Sequence, residues 1–170
     1  INHVKIYGAD TGPSWAGDSV NAERRFWRNI IGGSASSRFH RPATGIGLSD
    51  TAQAHIRSMR LLTRELDLFA CRPDIGYRLL SDRAQDEAYL IYAAGAQYAV
   101  FLPAGGAVGL DLKDAAGQFH LKWLDIRNSV WGHASTVEGR RITNLEAPDA
   151  GLWVALVQKR AAGDRPPSSR

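Results

Sequence analysis

Apolar residues in the first 70 positions alternate between strand-like and helix-like spacing. A β-rich run at 4–7 precedes an amphipathic segment that predicts a helix over 19–31, ended by the glycine pair at 32–33. A short β-rich run at 34–39 precedes a second helix, predicted over 50–69. Steps of four and three define its apolar stripe: Ala52, Ile56, Met59, Leu62, Leu66 and Phe69. The order strand, helix, strand, helix is typical of an α/β layer or barrel.

After residue 72 the pattern changes to short β-forming runs separated by turns rich in glycine and proline. The runs predict eight strands: 77–81, 87–92, 97–102, 107–112, 118–125, 129–132, 141–145 and 152–158. Phe119, Leu121 and Trp123 alternate with other residues and therefore share one face of their strand. Eight short strands with such turns indicate an antiparallel β-sandwich.

The two patterns divide the chain into an α/β part at 1–71, a β-sandwich at 72–160 and a tail at 161–170 that we expect to be disordered. The predicted fold class is therefore α/β plus all-β. Two β/α units cannot close a barrel of eight. Because Ile1 stands almost inside the first β-rich run, we expect an upstream segment to complete the α/β part.

Composition and charge exclude several classes of partner. The net charge of +4 comes from scattered basic residues, without the basic stripe or motif of nucleic-acid-binding proteins, so we expect no nucleic acid. No apolar run approaches the roughly 20 residues of a membrane span, so we expect no membrane. Cys71 is the only cysteine, which excludes an intramolecular disulfide. We interpret it as a small, half-buried apolar residue.

Candidate catalytic chemistry lies in the loop after the first predicted strand. In (β/α)₈ barrels the active site forms at the C-terminal ends of the strands, which would place Tyr7, Asp10 and Trp15 at its rim. Trp15 either stacks on a sugar ring or packs under its own loop. Asp10 either acts as a catalytic carboxylate or belongs to an ordinary Asp-Thr-Gly-Pro turn. Both alternatives stay open from the sequence.

A second polar cluster ends the second predicted strand. Arg38 and His40 would point the same way and, with Arg41, could bind substrate hydroxyls or a carboxylate. The alternative is a structural ion pair with an acidic residue such as Glu23. No histidine pair has metal-site spacing, and no phosphate-binding, dinucleotide-binding or serine-hydrolase motif occurs in the sequence. We therefore expect neither a metal nor a cofactor.

The acidic residues bear directly on hydrolysis. Glycoside hydrolysis normally uses two carboxylates roughly 5 to 10 Å apart. The α/β part offers at most one convincing catalytic acid, for which Asp10 is the candidate. The charged group at 82–87, which contains Asp82, Arg83, Asp86 and Glu87, is interpreted as a solvated face.

Several motifs resemble those of a known enzyme family. Val-Lys-Ile-Tyr-Gly (4–8), Phe-Trp-Arg-Asn-Ile-Ile-Gly-Gly-Ser-Ala-Ser (26–36) and Arg-Phe-His-Arg-Pro (38–42) look like the end of an apiosidase-like glycoside hydrolase barrel. Tyr-Ala-Val-Phe-Leu-Pro-Ala-Gly-Gly (98–106) and Leu-Lys-Trp-Leu-Asp (121–125) are similar to the β-sandwich that follows such barrels. That sandwich often carries the label of a collagen-binding domain of a collagenase.

The resemblance implies the last two β/α units of a (β/α)₈ barrel followed by an antiparallel eight-stranded β-sandwich. It implies a secreted or periplasmic bacterial protein that acts on a polysaccharide or oligosaccharide and that includes an upstream barrel segment. Related barrels carry a catalytic Glu at the end of the seventh strand, whereas residues 3–7 here contain no acid. Either Asp10 takes that role or the chemistry has changed.

Two functions follow as hypotheses. In the first, the chain is the C-terminal portion of a glycoside hydrolase, inactive alone, with the sandwich as an accessory domain. In the second, it is a non-catalytic module that binds carbohydrate or a protein such as collagen. Aromatic side chains exposed on one sandwich face would favour the second, and the candidates are Tyr89, Tyr92 and Trp131.

Overall fold

The computed structural model describes residues 4–6, 19–34, 37–39 and 46–160. Its two helices are α1 (Ser19–Ile31) and α2 (Asp50–Glu65). The strands are β1 (Val4–Ile6), β2 (Ser37–Phe39), β3 (Arg72–Pro73), β4 (Leu80–Ser81), β5 (Tyr89–Ala93), β6 (Gln97–Leu102), β7 (Ala107–Asp111), β8 (Gln118–Asp125), β9 (Val130–Glu138), β10 (Ile142–Glu146) and β11 (Trp153–Lys159). All eight strands predicted after residue 72 are present, with shifted ends, and β3 is an additional short strand.

The described N-terminal part contains one parallel strand pair. β1 pairs with β2, and Lys5 lies opposite Arg38. Because α1 connects these two strands, they form a β-α-β unit, which is how parallel strands are usually joined. The predicted membership of this unit in an eight-stranded barrel stays a prediction.

The remaining strands form two antiparallel sheets. One has six strands in the order β3-β5-β6-β11-β8-β9, and the other has three in the order β10-β7-β4. The two sheets pack face to face, with one apolar core between them that includes Val100, Leu110 and Leu145. This arrangement is consistent with the predicted β-sandwich.

The central strands of the six-stranded sheet are buried on both faces. Trp153, Ala155 and Val157 of β11 lie in the core shared with the three-stranded sheet, as strand alternation requires. Val154 and Leu156 point the other way, into a second core. Because both faces are covered, the central strands are almost continuously apolar.

The two helices supply the second core. Phe26, Trp27 and Ile31 of α1 pack with Leu62 of α2 against the sheet. Helices, six-stranded sheet and three-stranded sheet therefore form three successive layers. The α/β part is joined to the sandwich by an extended apolar contact.

The second helix is shorter than predicted. It begins after Ser49, whose hydroxyl accepts the backbone N–H of Ala52 at 3.2 Å, and it ends at Glu65. Asp67 then caps a short 3₁₀ turn by accepting the backbone N–H groups of Phe69 and Ala70. The Asp67 side chain thus competes with continuation of the helix, which explains why the prediction to residue 69 was too long.

The buried face of α2 also differs from the predicted apolar stripe. Its buried residues are Ala52, His55, Ser58 and Leu62. Ile56 and Met59 are only half-buried, and Phe69 is fully exposed. The polar residues satisfy their hydrogen bonds: Ser58 donates to the backbone oxygen of Ile126 at 2.6 Å, and His55 pairs with Trp27. A buried helical face can include polar groups when each has a partner.

Candidate functional site

The predicted catalytic residues lie at the edge of the described structure or outside it. Tyr7, Asp10, Trp15, His40 and Arg41 lie outside the described residues. Arg38 is described through its backbone in β2, adjacent to β1. The assignment of these residues to a substrate cleft therefore stays a prediction.

Glu23 was named from the sequence as a possible ion-pair partner for Arg38, His40 and Arg41. Among the described residues, its carboxylate contacts His55 and Arg127. Its carboxylate oxygen Oε2 lies 3.3 Å from Nε2 of His55 and 3.8 Å from Nε of Arg127. Glu23 is mostly buried and connects α1 to α2 and to the turn that follows β8. It is part of the framework that holds the helices on the sheet.

A large apolar groove runs along the side of α2 adjacent to its buried face. Its volume is about 1170 Å³, and Phe26 and Ile30 of α1 and Ile56 and Met59 of α2 contribute apolar walls. Ser37 of β2 and residues of the 64–73 segment also line it. We call this feature the helical groove.

A smaller cavity lies where α1 meets the sandwich. It has a volume of about 280 Å³ and is lined by Ile31 and Gly32 at the end of α1 and by Asp74, Tyr77 and Tyr89. Asp74 shapes this loop, since its Oδ2 accepts the backbone N–H of Leu79 at 3.0 Å. We call this cavity the junction cleft.

Two arginines and a glutamate surround the aromatic wall of the junction cleft. The guanidinium carbon of Arg83 stands 3.5 Å from the ring centroid of Tyr77, and that of Arg28 stands 5.3 Å from the centroid of Tyr89. Arg28 also forms an ion pair with Glu87 at 2.8 Å. The same carboxylate oxygen of Glu87 accepts the hydroxyl of Tyr89.

The environment of Tyr89 makes its phenol a weaker acid than that of an ordinary tyrosine. Burial raises the pKa of Tyr89 to about 12, and its hydrogen bond to Glu87 adds to the shift because the phenol must donate to a carboxylate. The guanidinium of Arg28 opposes the rise. Tyr89 therefore stays a hydrogen-bond donor across the physiological pH range.

The interpretation of residues 82–87 as a solvated face was wrong for most of its charged residues. Arg83, Asp86 and Glu87 are each half-buried. Asp86 accepts the backbone N–H of Ala107 at 2.9 Å, and Arg83 donates its Nε–H to the backbone oxygen of Ala88. Asp82 alone of the four is exposed. Asp86 and Glu87 fix the loop to other segments, because Asp86 binds the backbone of Ala107 and Glu87 pairs with Arg28 of α1.

The three aromatic residues proposed as a binding surface do not form one platform. Tyr92 packs toward the core between the sheets, whereas Tyr89 and Trp131 pack toward the helical layer. Lys122 covers the ring of Trp131, with its ammonium nitrogen 4.6 Å from the centroid. Sequence analysis missed Tyr77, which is 43% exposed and lies beside Tyr89. The sequence placed Tyr77 at the start of the strand predicted over 77–81, whereas the strand there begins only at Leu80.

Cys71 is half-buried at the edge of the core, as predicted. Burial raises the pKa of its thiol, so the neutral form is favoured. Within the described ranges, no group of three or more His, Cys, Asp or Glu residues could hold a metal ion. No helix in the same ranges is long and apolar enough to cross a membrane.

Comparison with solved structures shows where this fold occurs. A glycoside hydrolase family 5 protein from Bacteroides vulgatus matches with a TM-score of 0.61 at 15% sequence identity, covering 82% of this chain and 36% of that one. A second structure, described as a glycoside hydrolase, matches with a TM-score of 0.64 at 12% identity, covering 82% of this chain and 37% of its own. The chain thus spans little more than a third of each neighbour.

No protein-family model and no curated protein matches the sequence. At these identities the structural likeness shows a shared fold with glycoside hydrolases. The apiosidase-like assignment and the collagen-binding label stay predictions.

Proposed function

We propose that this chain is the C-terminal portion of a glycoside hydrolase-like protein that acts on polysaccharide, with the β-sandwich as its accessory domain. The structural likeness supports this proposal. The match to the glycoside hydrolase structure covers 82% of the 170 residues, which is about 139 residues. The predicted sandwich, residues 72–160, has only 89. The likeness to the glycoside hydrolases therefore extends beyond the sandwich into the α/β part.

The observation that carries the proposal is the position of the helical groove. α2 turns one face, with His55 and Ser58, toward α1 and the sandwich, where Trp27 and the backbone oxygen of Ile126 satisfy these polar groups. Its adjacent face presents Ile56 and Met59 to the groove. A helix on the outside of a (β/α)₈ barrel buries an apolar face against the barrel strands. We assign the upstream barrel segment as the occupant of this groove.

In this proposal the sites at the ends of β1 and β2 belong to the substrate cleft. Asp10 acts as one carboxylate, and Tyr7 and Trp15 contact the sugar beside it. Arg38, His40 and Arg41 bind sugar hydroxyls from the neighbouring strand end. The second carboxylate that glycosidases normally need comes from the upstream segment.

Hydrolysis of a panel of neutral and acidic polysaccharides tests the function. The assay compares the 170-residue chain with a longer protein that includes the upstream barrel. We expect reducing ends to appear only with the longer protein and to fall at least about a hundredfold in its Asp10→Asn variant, since a catalytic carboxylate loses its charge. Asp114→Asn, an exposed carboxylate in a sandwich turn, is the matched control and should keep full activity.

The assay separates the parts of the proposal. Full activity in Asp10→Asn would remove Asp10 from the mechanism. Absence of hydrolysis by the longer protein on every substrate would overturn the hydrolase function itself.

A further inference from the structure

We propose that the outer edge of β9 pairs with the same edge of a second copy of this chain. The two six-stranded sheets then join into one antiparallel sheet, with a twofold axis at Ser135. The inference does not depend on the proposed function. The helical groove reaches β3 and β5, which lie at the opposite edge of the six-stranded sheet, so the two surfaces are distinct.

The edge formed by β9 is long and lacks the usual protection. Within the described ranges, β9 pairs with β8 alone. It has 9 residues, whereas the edge strands β3 and β4 have 2 each and β10 has 5. Proteins protect sheet edges with short strands, lysines or prolines. β9 contains no lysine, arginine or proline, and its one acidic residue, Glu138, is its last.

The hydrogen bonds at the start of β8 show which backbone groups β8 and β9 exchange. The backbone N–H of Gly139 donates to the carbonyl oxygen of Gly117 at 2.8 Å, so this is a hydrogen-bonded pair. The next pair is Gln118 with Glu138. The carbonyl oxygen of Gln118 accepts the N–H of Arg160 at 2.9 Å, on the side away from β9. This second pair is therefore not hydrogen-bonded.

The same alternation assigns the backbone groups along β9. Hydrogen-bonded and non-hydrogen-bonded pairs alternate along an antiparallel ladder. Val137 and Ser135 therefore direct their N–H and C=O groups to β8. Ala134 and Thr136 direct theirs to the outer edge, where no described strand receives them. These groups are arranged to bond an added antiparallel strand.

The regular part of this edge is bounded on both sides. A bulge places both Gly132 and His133 opposite the single residue Trp123, which interrupts the alternation. At the other end, the carbonyl oxygen of Glu138 accepts the hydroxyl of Thr143 at 3.5 Å, so it is turned toward β10. The regular outward groups are therefore those of Ala134 and Thr136.

A second copy of β9 matches these groups in one symmetric register. Ala134 of one copy lies opposite Thr136 of the other, so that both outward residues of each copy are bonded, and Ser135 lies opposite Ser135. The two Glu138 side chains are then six residues apart along the strands, roughly 20 Å, which exceeds the Debye length of about 8 Å at physiological salt. No like charges face each other. The edge is therefore self-complementary, as a twofold interface requires.

Sedimentation velocity of the 170-residue chain over a concentration series tests the pairing. We expect a reversible dimer that weakens at least about tenfold in Thr136→Pro, because proline removes the outward N–H. The β8–β9 ladder does not use this N–H, so circular dichroism should show a folded variant. Thr136→Val keeps the N–H and the branched side chain. It is the matched control and should dimerise like the parent.

A disulfide tests the register, and it does so without the proline variant. Ser135→Cys is introduced together with Cys71→Ser, which removes the one native thiol. Opposed residues of a non-hydrogen-bonded pair have Cα atoms roughly 4.5 Å apart, within the range of a disulfide. Val130→Cys in the same background is the control, because its two copies would be ten residues apart, roughly 33 Å. On oxidation we expect Ser135→Cys to form covalent dimers at least about tenfold faster than Val130→Cys.

Three results would overturn the inference. The first is a parent chain that stays monomeric at every concentration, which is also the result expected if the edge receives only a strand of a different protein. The second is a folded Thr136→Pro variant that dimerises like the parent. The third is equal rates of disulfide formation in Ser135→Cys and Val130→Cys.

Discussion

Trp27 of α1 donates its indole N–H to Nδ1 of His55 in α2 across 2.9 Å, and both side chains are almost completely buried. The other ring nitrogen of His55 faces the carboxylate of Glu23 at 3.3 Å. This network assigns the proton of the neutral imidazole to Nε2. The two helices are therefore joined by a directional polar contact within an otherwise apolar layer.

Removal of the indole donor should destabilise the chain. Trp27→Phe leaves Nδ1 of His55 buried without a donor, and an unsatisfied buried acceptor costs about 1–3 kcal/mol in addition to lost packing. Trp153→Phe is the matched control, because the Trp153 indole donates to Asp149, an exposed carboxylate that water can solvate. Urea unfolding measures both variants. Equal losses of unfolding free energy would show that the Trp27–His55 contact contributes nothing beyond packing.

A glycine in the turn after β9 has no room for a side chain. A Cβ on Gly139 would overlap the backbone carbonyl oxygen of Ala115, which the neighbouring turn holds in place. We expect Gly139→Ala to lower the free energy of unfolding by about 1–3 kcal/mol through overpacking. At Gly132 a Cβ meets its nearest atom at 3.5 Å. Gly132→Ala should therefore leave the stability unchanged or raise it by up to about 1 kcal/mol, and a reversed order would contradict the packing.

The raised pKa of Tyr89 predicts a specific sensitivity to alkaline pH. The unfolded chain loses this proton near the ordinary tyrosine pKa of roughly 10, whereas the folded chain keeps it to about 12. Stability from this group is therefore fully present below pH 10 and is lost as the pH rises from about 10 to about 12. Tyr89→Phe should flatten the decline of unfolding free energy over this window.

Glu87→Gln provides the complementary measurement. It removes the carboxylate that accepts the Tyr89 hydroxyl, so the pKa of Tyr89 should fall toward its ordinary value. The ultraviolet absorbance of tyrosinate, compared with that of Tyr89→Phe, follows the titration. An unchanged titration in Glu87→Gln would mean that burial alone sets this pKa.

The helices and strands could be predicted from the sequence because the residue patterns that define them lie within or next to each element. The limits 19–31 of α1 are confirmed, as its terminating glycines predicted. Phe119, Leu121 and Trp123 share the core between the sheets, as their alternation predicted. A strand is marked by alternating apolar residues, and a helix end is marked by a nearby polar or glycine residue. Both patterns can be read from a single sequence.

Features that depend on distant partners could not be predicted. The apolar stripe predicted for α2 did not include His55 or Ser58, whose burial became possible through Trp27 and the backbone of Ile126, 28 and 68 residues away. Tyr77 joins the junction cleft through a left-handed turn and through Arg83. None of these contacts changes the spacing of apolar residues along the chain.

The helical groove gives the most direct test of the central claim that an upstream barrel packs on α2. Met59→Glu is introduced in the 170-residue chain and in the longer protein, and thermal unfolding is measured for each. Met59 is half-buried here, so the charge should reach water and lower the unfolding temperature only slightly in the 170-residue chain.

In the longer protein we expect Met59→Glu to be severely destabilising or to prevent folding, because the barrel buries the charge without a partner. Ile142→Glu, at an exposed position on the three-stranded sheet, is the control and should cost little in both proteins. A large effect of Met59→Glu in the longer protein alone is the predicted result. The same small effect in both proteins would contradict the claim that the groove is filled by an upstream barrel.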